Sequence, residues 1–445
     1  MTQTVTELPA YSSLTGRVPS TDEPAWLDAL RSEAEAIFSS IGIPTTQDEE
    51  WRFTPLAALS SVEFAPPADV REPSARLLAA VPPTFGGWRV VVVNGRITPG
   101  ASRLPEPASG LRVMSLRESL RHDEEFLREN LGRVLADPAM AFVATNTARF
   151  EDAVIIKIAD GADVPQPLEL VFVTQSTGRQ AVAVHPRILV HAGRGSRLNL
   201  IELHVGDESA CYLNNTVAEL FLAEEAHLSH YRVQAEGAAA FHIGASQAEL
   251  GANAAYHLYS VAYGARLARA DLRIRLGQSG AHGSIYGVYR IDEHQLCDLH
   301  SVIDHVAPQC TSWEAVKGIL EGQSRGVFNG RIIVRPGAQK TDAKQTNRNL
   351  LLSRDALVQA NPQLEIHADD VKCTHGATVG HLEEEALFYM RSRGIPEEAA
   401  RGLLTYAFAN DVLRHIEIAP LRQWLERNIL DVARVAYDKD LVEVE

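Results

Sequence analysis

Residues 272–289 read LRIRLGQSGAHGSIYGVY. Leu272, Ile274 and Leu276 fall on one side of an extended chain, and Arg273 and Arg275 on the other, because successive side chains of a strand point to opposite faces. The glycine-rich break Gly277–Gly283 ends this run, and a second β-prone run, Ser284 to Tyr289, follows. Alternation, a small-residue break and a further run describe half-buried strands joined by tight corners.

The same pattern extends outward over the chain from Ala153 to about Asp370. Its runs include Glu169 to Val173, Arg187 to Val190, Leu198 to Leu203, His230 to Val233, Tyr256 to Val261 and Gly330 to Val334. Few helical stretches interleave with them, which argues against a doubly wound α/β fold. Two all-β solutions fit: a large sandwich or barrel, and a solenoid whose coils stack on one another. The succession of similar short runs favours the solenoid, but no fixed repeat length emerges, so periodicity leaves the two level.

The flanks differ in character. Residues 1 to about 20 read as loose, Asp22 to Ile41 as a helix stopped by Gly42, and residues 66–83 as a Pro/Ala-rich connection. Trp88 to Val93 is β-prone ahead of an Asn94-Gly95 turn, and Leu111 to Leu135 reads as helical. After about Thr378, Leu382, Ala386, Tyr389 and Met390 mark one amphipathic helix. Gly394 and Pro396 punctuate it, and Ala399, Leu403, Leu404, Ala407, Phe408 and Val412 line a second. Pro420 to Tyr437 forms a third, with Trp424, Leu425, Ile429, Leu430 and Val432. These helices are expected to cap the solenoid, to present a docking surface, or both. The expected divisions are a mixed, largely helical section over 1–150, a β core over 151–375 and a helical section over 376–445.

The chain has 445 residues and a formal charge of -15, so a broad nucleic-acid-binding surface is not expected. Its four cysteines, Cys211, Cys297, Cys310 and Cys373, form no CxxC and read as reduced thiols of a cytoplasmic protein. The N-terminal MTQTVTELPAYSSLTG lacks a basic segment followed by an apolar run, and no stretch has the apolar length of a membrane span.

Chemistry concentrates in Pro362–Gly394, where Cys373 and His375 stand two residues apart. On a strand such residues share a face, about 6.6 Å apart. A thiolate is a soft ligand and imidazole a borderline one, so the pair could face a metal, a sulfur species or a partner. Lys372 and His375 would lower the thiol pKa, and Asp369 and Asp370 would raise it. Two ligands do not close a tetrahedral site. His227, His230, His242, His257, His282, His294, His300 and His305 read one by one as solvent-facing strand residues without a carboxylate cluster. Asp271, Asp298, Asp304 and Asp342 are scattered over unlike runs, which disfavours a carbohydrate-active β-helix enzyme. No nucleophile elbow or metalloprotease helix occurs, and Gly318–Gly326, GILEGQSRG, lacks the order of a nucleotide phosphate loop. The chain is not expected to be an enzyme or to bind ATP itself.

Longer blocks carry a resemblance. CTSWEAVKGIL from Cys310, RGVFNG from Arg325, AQKTDAKQTNRNLLLS from Ala338, PQLEIHADDVKCTHGATVG from Pro362, FYMRSRGI from Phe388 and EWRFT from Glu50 resemble the SufB/SufD family of iron–sulfur cluster assembly proteins. The segment HGATVG after Cys373 and the low cysteine count are similar to the SufD branch. The resemblance implies a right-handed parallel β-helix between N-terminal and C-terminal helical domains. It implies a non-catalytic scaffold that pairs with a SufB-like subunit at the nearby end of the β-helix and docks a SufC-like ABC ATPase on its C-terminal helices. It implies no stably bound cofactor, but a transient iron–sulfur cluster near His375 and Cys373 at the SufB interface. A homodimer is the alternative assembly when the chain is alone, and a SufB-like scaffold that holds its own cluster is the alternative function.

Overall fold

The computed structural model describes residues 9–14, 23–67, 72–106, 109–133, 140–176 and 180–432. Two mostly parallel sheets, one of 11 strands and one of 10, face each other along the chain. Strands alternate between them, so that each coil contributes one strand to each sheet. This is a β-solenoid with helical regions at both flanks, the second of the two architectures open to the sequence.

From Arg197 onward most strands are ten residues long. Leu272, Ile274 and Leu276 are at most 1% exposed, and each contributes about 1.5–3 kcal/mol by leaving water. Along the 10-stranded sheet Arg197, His227, Ala255, His282, Thr311, Asp342 and Lys372 are successive register partners. Their spacings are 30, 28, 27, 29, 31 and 30 residues. Strand length is constant while corner length drifts, so the sequence shows the runs but no period.

One corner repeats in conformation without repeating in residue type. Gly195, Glu225, Asn253, Gly280, Gln309 and Lys340 all take positive φ, between 55° and 74°. For a non-glycine residue this costs on the order of 1–2 kcal/mol. Hydrogen bonds between coils offset that cost: Glu225 N–H donates to Ala252 O at 2.8 Å, Asn253 to Ser279 O at 3.0 Å, and Lys340 to Asp370 O at 2.7 Å.

The two ends of the solenoid are unlike. At the N-terminal end, Trp88–Val93 adds in parallel to Asp163–Thr174, and Leu111–Ser115 adds antiparallel to Val154–Ile158. Helix therefore does not begin at Leu111 as expected. Leu111 and Val113 face the solenoid interior while Met114 packs on the opposite face, as strand residues do, and a Ser115–Glu118 capping box starts the helix at Leu116. The short helix Ala75–Ala80 interrupts the expected connection over 66–83. The part of the expected third helix beyond Val432 lies outside the described residues.

At the C-terminal end the helices do not cap the last coil. Helices Glu397–Leu413 and Ala419–Val432 lie along the outer face of the 10-stranded sheet. Leu413, Ile416, Leu421 and Leu425 join one apolar cluster with Val171, Ile201, Val233 and Val261. Tyr231, Tyr259, Tyr286 and His415 form a continuous stack, and Lys317 donates to Asp411 at 2.7 Å and to Phe408 O at 2.9 Å. The final coil, Leu357–Ile366 and Lys372–Gly380, is left exposed at the edge of both sheets.

Candidate functional site

Cys373 and His375 lie on that last exposed strand. Lys372–Gly380 pairs on one side only, with Asp342–Leu351, which sets Cys373 beside Ala343 and His375 beside Gln345. Ala343 and Gln345 are fully buried and point into the solenoid. Cys373 and His375 share their face, so they look into the mouth of the solenoid, where no further coil covers them. From the other sheet Val358 and Leu364 reach the same interior, and Leu357, Ile366 and Val379 are exposed apolar side chains of the rim. Both outer strands leave backbone donors and acceptors unpaired, an arrangement that invites strand addition.

The two site residues differ electrostatically. Cys373 is half-buried against the core; burial first, then the Asp342 carboxylate, pushes its thiol pKa up. The expected lowering by Lys372 and His375 is not what prevails, so the uncovered site does not favour a thiolate. His375 is exposed, and its side chain makes no hydrogen bond among the described residues. All four cysteines are free, and burial raises the other three thiols as well, Cys297 to about 12. Among the described residues, no group of three or more His, Cys, Asp or Glu side chains is disposed to hold a metal ion. No helix among them is long and apolar enough to cross a membrane.

The helix Glu384–Ser392, next along the chain, buries none of its residues; Phe388 is 73% and Tyr389 60% exposed. A groove of about 540 Å³ runs beside it, lined by Leu351, Leu387, Phe388, Arg391 and Arg401 among others. In Glu397–Leu413 the buried face is Ala400, Thr405, Ala409, Val412 and Leu413. Of the expected apolar stripe Val412 belongs to this face, while Leu403, Leu404 and Phe408 are only partly covered and Ala407 is exposed.

The histidine expectation needs correction. His230, His242, His300 and His305 are buried, and the first three meet carboxylates. Glu202 accepts from His204 at 2.7 Å and from His230 at 2.9 Å, while Glu236 accepts from His242 Nδ1 at 2.7 Å. Burial opposes charge on Glu202, but the His204 and His230 hydrogen bonds prevail and hold its pKa well below the carboxylate range. Burial lowers His242 to about 4, so its Nε2 accepts from Arg232 while its Nδ1 donates. His305 is likewise lowered to about 4, chiefly by burial. Asp271 and Asp298, unrelated in sequence, converge on Arg269. Arg269 also stacks 3.8 Å over Trp51 and donates to Glu50 O, while Thr54 donates to Asp298 and His300 pairs with both Glu50 and Asp298. The Glu50–Thr54 motif thus seats on the outside of the solenoid. The pairs Glu202–His204, Arg269–Asp271 and Asp298–His300 stand two residues apart and share a strand face, but strand periodicity could not reveal the full groups, whose other members lie a coil or more away.

A family model described as the SUF system FeS cluster assembly SufBD core domain matches residues 172–408, and one for the SufBD protein N-terminal region matches 15–170. An iron-sulfur cluster assembly SufBD family protein of Synechocystis is 32% identical over 400 residues, 88% of each chain. The iron-sulfur cluster assembly protein SufD of Escherichia coli is 31% identical over 383 residues, 86% of this chain and 87% of that one. A chloroplastic protein of Arabidopsis thaliana, ABCI7, is 29% identical over 414 residues, 91% of this chain and 85% of that one. With both family models matching in order along the solenoid and its N-terminal flank, the chain belongs to the SufBD family of iron–sulfur cluster assembly proteins.

Proposed function

We propose that this chain is a non-catalytic scaffold subunit of the SufD type within a SufBCD-like complex that assembles iron–sulfur clusters in the cytoplasm. The observation that carries the reading is the uncapped last coil, with His375 and Cys373 in its mouth and two unpaired strand edges around them. A SufB-like subunit adds its own last strands to these edges, and the nascent cluster, as cargo, passes between the two mouths. His375 contacts it there through a ring nitrogen, and Cys373 becomes a competent thiolate ligand only after partner contacts change its surroundings.

A SufC-like ATPase docks on the helical section, where Phe388, Tyr389 and the adjoining groove supply apolar anchors with arginines at the rim. The working division is 1–150, 151–375 and 376–445, with the last part as the docking section. Movement of the docked helices on ATP binding reaches the solenoid through the Lys317–Asp411 pair and the tyrosine stack. Without a SufB-like partner the same edges meet those of a second copy about a two-fold axis, giving a homodimer.

The test is co-expression with the SufB-like and SufC-like proteins of the same organism, then the mass and stoichiometry of the purified species. One SufB-like chain, two ATPase chains and one copy of this chain is the expected result. A chain that ignores both partners and binds a cluster or a polysaccharide alone would sink the proposal.

A further inference from the structure

One polar column runs along the interior to the mouth. Glu314, Gln345 and His375 are register partners on successive strands of the 10-stranded sheet. Glu314 and Gln345 are fully buried, in an interior otherwise rich in Leu, Ile, Val and Ala. The Gln345 Nε2 donates to Glu314 Oε2 at 2.7 Å. Gln345 Oε1 and Glu314 Oε1 have no hydrogen-bond partner. Burial raises the Glu314 carboxyl, with the nearby Ser301 hydroxyl and the Gln345 amide working against it. Room for the amide is provided by Gly330 on the facing sheet, where a Cβ would collide with Gln345 Nε2 and the Phe328 ring.

A buried acceptor without a donor costs about 1–3 kcal/mol. Here the cost is incurred one rung beneath an exposed histidine. The amide nitrogen is committed to the Glu314 rung behind it, and the oxygen is left without a donor on the strand next to His375. An imidazole that donates one N–H to a fixed acceptor presents its other nitrogen as a lone pair, in one tautomer and one orientation.

The geometry points to Gln345, held by Glu314, as the positioning residue for His375: when a partner covers the mouth, His375 turns one ring N–H onto Gln345 Oε1 and directs its second nitrogen at the interface. This rests on the proposed role of His375 at the cluster.

The test uses the full chain, labelled with ¹⁵N-histidine and co-purified with its SufB-like and ATPase partners. The ¹⁵N shifts of His375 report its tautomer, and iron and sulfide per complex report cluster yield. The wild type is expected to show one tautomer with a hydrogen-bonded N–H. Gln345→Met keeps side-chain volume and removes both amide atoms; it should give a mixed tautomer pattern and about a tenfold lower yield, since loss of such outer partners costs 10–100-fold. Glu314→Gln, which still accepts from Gln345, should restore both readouts toward wild type where Glu314→Leu does not. An unchanged His375 signature and full yield in Gln345→Met would overturn the inference. So would a free-imidazole pattern in the wild-type complex, which decides the matter even if the variants fail to fold. His375→Ala with full yield would instead refute the proposed cluster role and leave the tautomer result to judge the positioning.

Discussion

Two polar regions inside the same solenoid make opposite use of burial. Around residues 202–242, Glu202 and Glu236 have partners on both oxygens, and His204, His230 and His242 each use both ring nitrogens. Coils above and below close that region. Around residues 314–375, Glu314 and Gln345 each keep a bare oxygen, and His375 stands uncovered. In the first region every carboxylate and imidazole is paired inside one chain, and the bare atoms left inside it are the Gln234 Oε1 and the Tyr212 hydroxyl. The second ends on an uncovered histidine, and in the proposed complex a partner over the last coil meets it there. Buried polar groups in a completed network stabilise a particular packing, whereas unsatisfied ones are tolerated where a function requires them.

The contrast can be broken most forcefully in the closed region. Glu202→Ala removes the common acceptor of His204 and His230 and leaves Arg232 without its nearby carboxylate. Breaking a buried network of this kind costs about 3–5 kcal/mol, and urea unfolding should show a loss of that order.

Next is the cluster that seats Glu50–Thr54. Burial would lower the His300 pKa, but Asp298 and the Glu50 hydrogen bond raise it to about 9 from 6.5. A raised histidine pKa stabilises the fold fully below about 6.5, and the gain is lost as pH rises through about 9. Stability should therefore fall by up to about 3 kcal/mol over that window, and His300→Gln should flatten the slope. On the acid side His242 and His305, both lowered to about 4, work in the other direction. The unfolded chain takes up protons that these rings refuse, so stability falls from about pH 6.5 toward 4.

Smaller energies are expected at the open end. Phe388→Ala together with Tyr389→Ala should weaken ATPase binding by about 2 kcal/mol or more, as anchor residues do, measured by calorimetry. The same double variant should leave the thermal midpoint nearly unchanged, because both side chains are exposed. A large drop in that midpoint would return the helix to the core. The smallest effect on stability belongs to His375→Ala, within about 0.5 kcal/mol as for other exposed positions. Its cluster yield in the complex should nonetheless collapse, which separates a functional residue from a structural one.

Local pattern carried much of this in advance. The alternation in 272–276, the glycine break after it and the amphipathic stripes past Thr378 are set by neighbours in the chain, and strands and helices stand there. The pair Cys373 and His375 was also visible, because a two-residue spacing on a strand fixes a shared face. Leu111 is misread because Leu111 and Met114, three apart, match helical spacing; here both faces of the segment are covered, and only Val154–Ile158 arriving alongside decides for strand.

Residues 27 to 31 apart meet only once coils stack. Tertiary structure alone therefore assembled Glu202 with His230, Asp298 with Arg269, and the column from Glu314 through Gln345 to His375. It also decided that the C-terminal helices cover the flank and leave the end open, since a helix's apolar stripe does not say which surface receives it. Leu111–Ser115 and Ala75–Ala80 apart, the sequence by itself determined the strands of the core, the C-terminal helices and the strand that carries Cys373 and His375. Stacking determined what faces that strand from within, because corner length, not strand pattern, sets which residues become neighbours.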